Sequence, residues 1–460
     1  MIDQPYDQIF TAFEEVSNNF NRKNQYFDIL YDSLSAVYIN IDPSKEDISV
    51  TSKTSGIVAR TFDGTWKEIA LHDFSNLKII EKKLPKVVNK GEEIAEFKGW
   101  KLNKDLKPKT DPQKTPIEEK LKKLRHIFNF IQNFDKRIAM CQLKYLETKI
   151  TRIFVNNEGS QLRQVIPRLR FFIFPIVKEG GTVDFDHFLL EGEAGFELFD
   201  ELTDSKLEQI ATNSLEMLKA KKPPAGKFPV IVDPGMAGTI AHESFGHGLE
   251  ADQVLRGRSY LKEKLNKKVA SEICVICDTP NLENQIGSYY FDDEGIKAGK
   301  NILVENGILK NFIYDRRSAS VLDGSPQGNG RRESYAHVIH PRMSNTYFEP
   351  GDYDLEEMIA EIKEGIMCEH SYFGMEDPLG GSLQTTSKKG YLIKNGEVTQ
   401  ILRAITLSGL VLEVLGSIDA ISKDATKLHG GTCGKGNADN VPVSDGGSYV
   451  RFKEVLISPG

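Results

Sequence analysis

Apolar residues in the first half of the chain recur with two different periods. Phe10, Phe13, Val16 and Phe20 fall at helical spacing, as do Ile117, Leu121, Leu124, Phe128 and Ile131. The second run opens with Thr115-Pro116-Ile117-Glu118. This tetrad offers an N-cap hydroxyl, a proline for the first helical position and a glutamate placed to close a capping box. A third helix is expected from about Asp204 to Lys219. Between these helices lie β-branched and aromatic runs that read as strands: SAVYINI, SGIVARTF, RQVIPRLRFFIFPIV and TVDFDHFLL. The charged stretch KLNKDLKPKTDPQKTP reads as a solvated loop. The N-terminal half is therefore expected to be an α+β domain of helices and antiparallel strands.

Downstream of KAKKPPAGK, residues 219–227, the texture changes. The charge, the Pro-Pro pair and the glycine of that segment mark a linker, so residues 1–225 and 226–460 are expected to form separate domains. The second half shows short strands punctuated by glycine. Asn306-Gly307 and Asn395-Gly396 sit between apolar residues as hairpin turns do. It reads as mostly β, and the chain as a whole as α+β.

Composition removes several classes of function. A formal net charge of -7, from 59 Lys+Arg against 66 Asp+Glu, provides no broad basic face for nucleic acid. No leader-like segment opens the sequence, and no apolar run approaches the roughly 18 residues of a membrane span. Five scattered cysteines make no disulfide framework and fit a reducing, cytoplasmic setting.

The chemistry concentrates in AGTIAHESFGHGLEAD, residues 237–252, which follows the strand-like FPVIV and the turn Asp233-Pro234-Gly235. Two histidines with a glutamate directly after the first are the elements of a zinc peptidase, in which imidazoles hold the metal and the carboxylate activates water. Here the histidines are five residues apart, an HExxxH pattern. On a regular α-helix that spacing turns them about 140° apart. A π-bulge would return them to one face, and Gly246 eases such a distortion. Two unrelated polar side chains on a solvated helix would have the same spacing.

The run AHESFGHGLEAD resembles the TldD/PmbA family of peptidases, historically called modulators of DNA gyrase, and its TldD branch in particular. GSYYFDDEG (287–295), GNGRRESYAH (328–337), PRMSNTY (341–347) and GGTCGKGNADNVPV (430–443) resemble further family segments in the same order. The resemblance implies that His242, His247 and Cys433 bind one Zn2+ and that Glu243 is the catalytic base. Two imidazoles and a thiolate leave the fourth tetrahedral position open, as a catalytic zinc site requires. It also implies hydrolysis of short or unstructured peptides, and a dimer formed with a second copy or with a metal-free PmbA/TldE-like chain. A non-catalytic peptide-binding or partner subunit is the alternative. One stretch departs from the family pattern: GMEDPLGGS, residues 374–382, stands where a GGQVD-like sequence is usual.

Arg331, Arg332, Tyr335 and His337 are candidates for steadying substrate or a developing oxyanion, and equally for a structural ion-pair network. Glu250 and Asp252 are candidates for orienting the histidines. Cys274 and Cys277 lie in the apolar run ICVIC without a second pair, as expected of a strand interior. His340, His370 and His429 read as ordinary surface or core residues.

Overall fold

The computed structural model describes residues 6–20, 26–74, 76–84, 94–436 and 439–460. Its N-terminal half is organised by two long antiparallel hairpins, Tyr26–Asp42 with Lys45–Phe62 and Ile138–Asn156 with Gln161–Glu179. The inner strands of the two hairpins pair, giving an eight-stranded sheet. Alternate residues share a face of such a sheet. Ile29, Tyr31, Ile57, Ala59 and Ile153 therefore pack together against Ile9, Phe13 and Val16 of the helix Tyr6–Asn18. Farther along, Ile39, Leu143, Leu169 and Phe171 pack against the helices Ile117–Gln132 and Asp204–Glu216.

Four local expectations need correction. The expected capping box at Thr115 does not form. Asp111 caps a preceding 3-10 turn, Pro112–Lys114, and the Thr115 hydroxyl donates back to the Asp111 carbonyl at 3.2 Å. Ile127, rather than Phe128, is fully buried in that helix. Part of the charged stretch read as a loop, Lys101–Asp105, is an edge strand running parallel to Gln161–Glu179; its charges face solvent while its backbone pairs. TVDFDHFLL becomes two strands, Thr182–Phe185 and Phe188–Gly192, with Asp186 and His187 between them.

The C-terminal half contains two six-stranded sheets. One places Gly226–Val232 between Glu364–Asp377 and Val450–Pro459. The other ends in the hairpin Lys427–Lys435 with Asp439–Gly447, beside Asn345–Phe348. Asn306-Gly307 and Asn395-Gly396 turn hairpins as expected, all four residues having positive φ. Cys277 lies in the short strand Ile276–Asp278 and Cys274 just before it, both buried.

A short helix, Pro234–Ala241, is wedged between the two sheets. Met236, Ala237, Ile240 and Ala241 are all 0% exposed. They pack with Val230, Val232 and Ile366 of one sheet and Phe348, Val441 and Val443 of the other. Each large apolar side chain so buried contributes about 1.5–3 kcal/mol. Gly238 is required by the close approach: a Cβ there would lie 2.1 Å from the Gly446 backbone nitrogen.

The two halves meet through buried charge. Arg60 bridges Asp28 at 2.5 Å and Glu294 at 3.5 Å, and Arg152 reaches Asp293 at 2.7 Å. Such pairs add little net stability, but removing one partner strands the other, so they fix how the halves dock. Among the described residues no helix is long and apolar enough to cross a membrane.

Candidate metal centre

The strand Gly226–Val232 delivers the chain to Asp233, whose side chain caps the wedged helix by accepting the Met236 N–H at 2.8 Å, with Pro234 at the first helical position. The helix is α through Ala241. Residues His242–Gly246 then form one π turn and His247–Leu249 a 3-10 turn. One extra residue in the turn brings residues five apart onto the same face. The rings of His242 and His247 accordingly stand 5.2 Å apart at 83°. The distortion is anchored locally, because the Tyr260 hydroxyl donates to the Ser244 carbonyl at 2.5 Å.

Gly246 makes the turn possible. A Cβ at this position would lie 1.7 Å from the Met343 sulfur, in a fully buried environment. Gly246→Ala is expected to destabilise the protein by about 1–3 kcal/mol, the usual cost of overpacking, and to weaken metal retention as the turn shifts. A urea-denaturation series beside metal analysis measures both.

Cys433 arrives from the edge strand Lys427–Lys435. Its sulfur lies 3.4 Å from His247 Nε2, and ligand atoms of His242, His247 and Cys433 all fall within 4.8 Å of one another. The electrostatics favour a thiolate. Burial alone would push the Cys433 thiol up, but the two imidazoles outweigh it and hold the group well below the ordinary thiol range. Burial likewise opposes charge on His242, yet the Cys433 thiolate and Asp445 raise its pKa to about 9. A bound cation would take over the role of these imidazolium charges and leave neutral nitrogens as ligands.

The residues fit a metal. The donors are two imidazoles and a thiolate, the His242 Nδ1 is buried without a hydrogen-bond partner, and Asp445 Oδ2 stands 4.0 Å from it. Glu250 Oε2 lies 3.6 Å from His247 Nδ1, which leaves Nε2 toward Cys433. Burial would raise the pKa of Glu250, but Lys435, His247 and Arg342 hold it at about 2, so it remains a carboxylate. Asp252 turns instead to Lys435, at 2.7 Å.

Glu243 opens onto two cavities. One, of about 580 Å³, is lined by His242, Glu243, Asp445, Ser371–Gly374 and Gly430–Thr432; the other, of about 630 Å³, adds His247, Glu250 and Glu376. His370 and His429, read from sequence as ordinary residues, both line the first cavity, and His370 Nδ1 lies 3.1 Å from Asp186.

Several neighbours carried no sequence signal. Arg342 donates to the Cys433 carbonyl at 2.7 Å and approaches Glu250 at 3.4 Å. Glu376, within the departing GMEDP stretch, has both carboxyl oxygens buried without partners, and burial pushes its pKa up to about 9.

Arg332, Tyr335 and His337 lie elsewhere. Arg332 is 2% exposed and donates to the His337 carbonyl, Arg331 donates to the Met343 and Pro442 carbonyls, and the Tyr335 hydroxyl is 2.8 Å from His72 Nδ1 at the contact between halves. None of these four candidates lines either cavity.

Models of the PmbA/TldA metallopeptidase central and C-terminal domains match residues 110–219 and 225–459. A metalloprotease of Methanocaldococcus jannaschii is 37% identical over 383 residues, covering 81% of this chain and 83% of its own. A protein of Saccharolobus solfataricus named zinc metalloprotease TldD homolog is 32% identical, covering 74% of this chain and 76% of its own. Among solved structures, TldE of Thermococcus kodakarensis has the same fold, with TM-score 0.67 and 19% identity over 99% of this chain and 100% of its own. So does a Thermotoga maritima protein described as a modulator of a DNA gyrase, with TM-score 0.79 and 20% identity over 98% and 100%.

Proposed function

Since the chain belongs to the PmbA/TldD family of metallopeptidases, we propose that it is a zinc-dependent peptidase acting on short or unstructured peptides, with His242, His247 and Cys433 as ligands and Glu243 as base. The observation that carries this reading is the convergence of the three ligand atoms within 4.8 Å, with Glu243 beside them and open to both cavities. Zinc held by this set would supply Lewis acidity, to polarise the scissile carbonyl and lower the pKa of the attacking water. Glu243 accepts the proton released as water attacks the carbonyl carbon, then passes it to the amine as the C–N bond breaks. Glu250 and Arg342 act by positioning, one beside His247 and the other on the Cys433 carbonyl.

Strand edges supply a place for an extended peptide. Glu364–Asp377 pairs with Gly226–Val232 only at Ile366–Cys368, so Ser371–Gly374 present an edge to the first cavity. Across it, Gly431 and Thr432 belong to the terminal strand of the other sheet. Main-chain pairing at such edges gives affinity with little side-chain selectivity and demands an unfolded substrate. The five cysteines, all buried and free, suit the reducing cytoplasm. The partner in this reading is a second copy of the chain or a PmbA/TldE-like chain.

The test compares one protein substrate in folded and unfolded forms, with fragments followed by mass spectrometry. Cleavage of the unfolded form at many sites, with the folded form intact, is expected. Equal rates on both would overturn the requirement for an unfolded substrate.

A further inference from the structure

A second group of ligand-type side chains lies outside the proposed catalytic centre, where residues 333–340 meet the start of the strand Asp439–Gly447, which pairs with the strand that carries Cys433. Ligand atoms of Glu333, His337 and Asp439 all lie within 4.8 Å of one another. His337 Nε2 stands 3.9 Å from Glu333 Oε2 and 3.9 Å from Asp439 Oδ1. Neither distance is a hydrogen bond, so the nitrogen faces two carboxylates across a gap. Donors about 2.1 Å from a tetrahedral ion stand about 3.4 Å apart, so an ion in that gap would draw these atoms in by about half an ångström.

Each donor is aimed by its own neighbours. Ser334 Oγ lies 2.8 Å from His337 Nδ1, which leaves Nε2 toward the carboxylates. The Asn440 N–H donates to Glu333 Oε2 at 2.6 Å. His340 Nε2 lies 3.3 Å from Asp439 Oδ2. Partners that fix ring orientation and carboxylate direction in this way are what metal ligands require. The three side chains remain 20–34% exposed, so an ion has a path in.

We propose that Glu333, His337 and Asp439 form a second divalent-cation site, taking zinc or a similar first-row ion with water completing its shell. The site braces the catalytic strand. Arg342 donates to the backbone carbonyls of both Asp439 and Cys433, at 2.9 and 2.7 Å, so an ion that clamps Asp439 to the 333–340 loop also steadies the hairpin presenting the thiolate.

Cobalt(II) is the probe, because a thiolate ligand gives it a charge-transfer absorption that oxygen and nitrogen ligands do not. The full-length protein, stripped with a chelator, is titrated with cobalt(II) and its bound metal counted after gel filtration. About two equivalents per chain are expected, with the thiolate absorption saturating at one. Cys433→Ser should still bind one equivalent, without that absorption. His337→Ala combined with Asp439→Asn should bind one equivalent and keep it, which also reports that the fold survives. Glu333→Gln, on an exposed side chain, should weaken the second equivalent about 10-fold or more while the first is still bound. A wild-type protein that binds only one equivalent overturns the proposal, as do Glu333→Gln and the double variant if both still bind two with unchanged affinity. Because the second equivalent is counted in Cys433→Ser, failure here is distinguishable from failure of the peptidase reading.

Discussion

Glu243→Gln is expected to keep its zinc and its stability and to lose hydrolysis by about 10²- to 10⁴-fold, the range a positioned general base contributes. The side chain does not belong to the ligand cluster; it follows His242 on the π turn and faces both cavities. Glutamine preserves its shape and removes the basic oxygen, so kcat and kcat/KM should fall together, a loss of about 3–5 kcal/mol of transition-state stabilisation. Metal analysis, thermal unfolding and peptide turnover on one preparation measure all three properties. Turnover within a few-fold of wild type, with zinc in place, would remove Glu243 from the mechanism.

Cys433→Ser is expected to be worse in a different way, because it removes the ligand rather than the base. Serine cannot replace a thiolate held ionised by two imidazoles, so the catalytic zinc should be lost to a mild chelator and hydrolysis with it. The loss in affinity should exceed the roughly 10–100-fold cost of altering a group that merely orients a ligand. Glu250→Gln, beside His247 Nδ1, is the internal standard for that smaller effect. Competition with a chromophoric chelator gives both affinities. If Cys433→Ser holds zinc as firmly as Glu250→Gln, the sulfur is not a ligand.

Periodicity and turn chemistry were sufficient where the deciding interactions are local. The helix Asp204–Glu216 continues through a 3-10 turn to Lys219, the span expected from pattern alone. The Asn-Gly pairs turn hairpins because they accept positive φ. Pattern failed where distant partners decide. Lys101–Asp105 has a charged sequence with no strand character, and it is a strand because the edge of Gln161–Glu179 is available to it. The Thr115 cap failed because Asp111 had already organised the preceding turn. His370 and His429 looked ordinary because their approach to His242 depends on two sheets closing over one helix.

The sequence by itself determined the short-range half of the site: an Asp-Pro start, a run of small apolar residues able to sit between two sheets, and HExxxH with a glycine inside the turn. It also carried, in ordered motifs, a resemblance sufficient to identify the family. Only the tertiary structure decided that one π turn lies under the two histidines, that Asp445 and Glu250 stand beside them, and that Arg342 grips the strand of Cys433. The physical reason is separation along the chain. Cys433 lies 186 residues from His247, and no local propensity acts across such a distance. Their meeting is enforced by burial of the wedged helix between the sheets, an energy that belongs to the packed core as a whole.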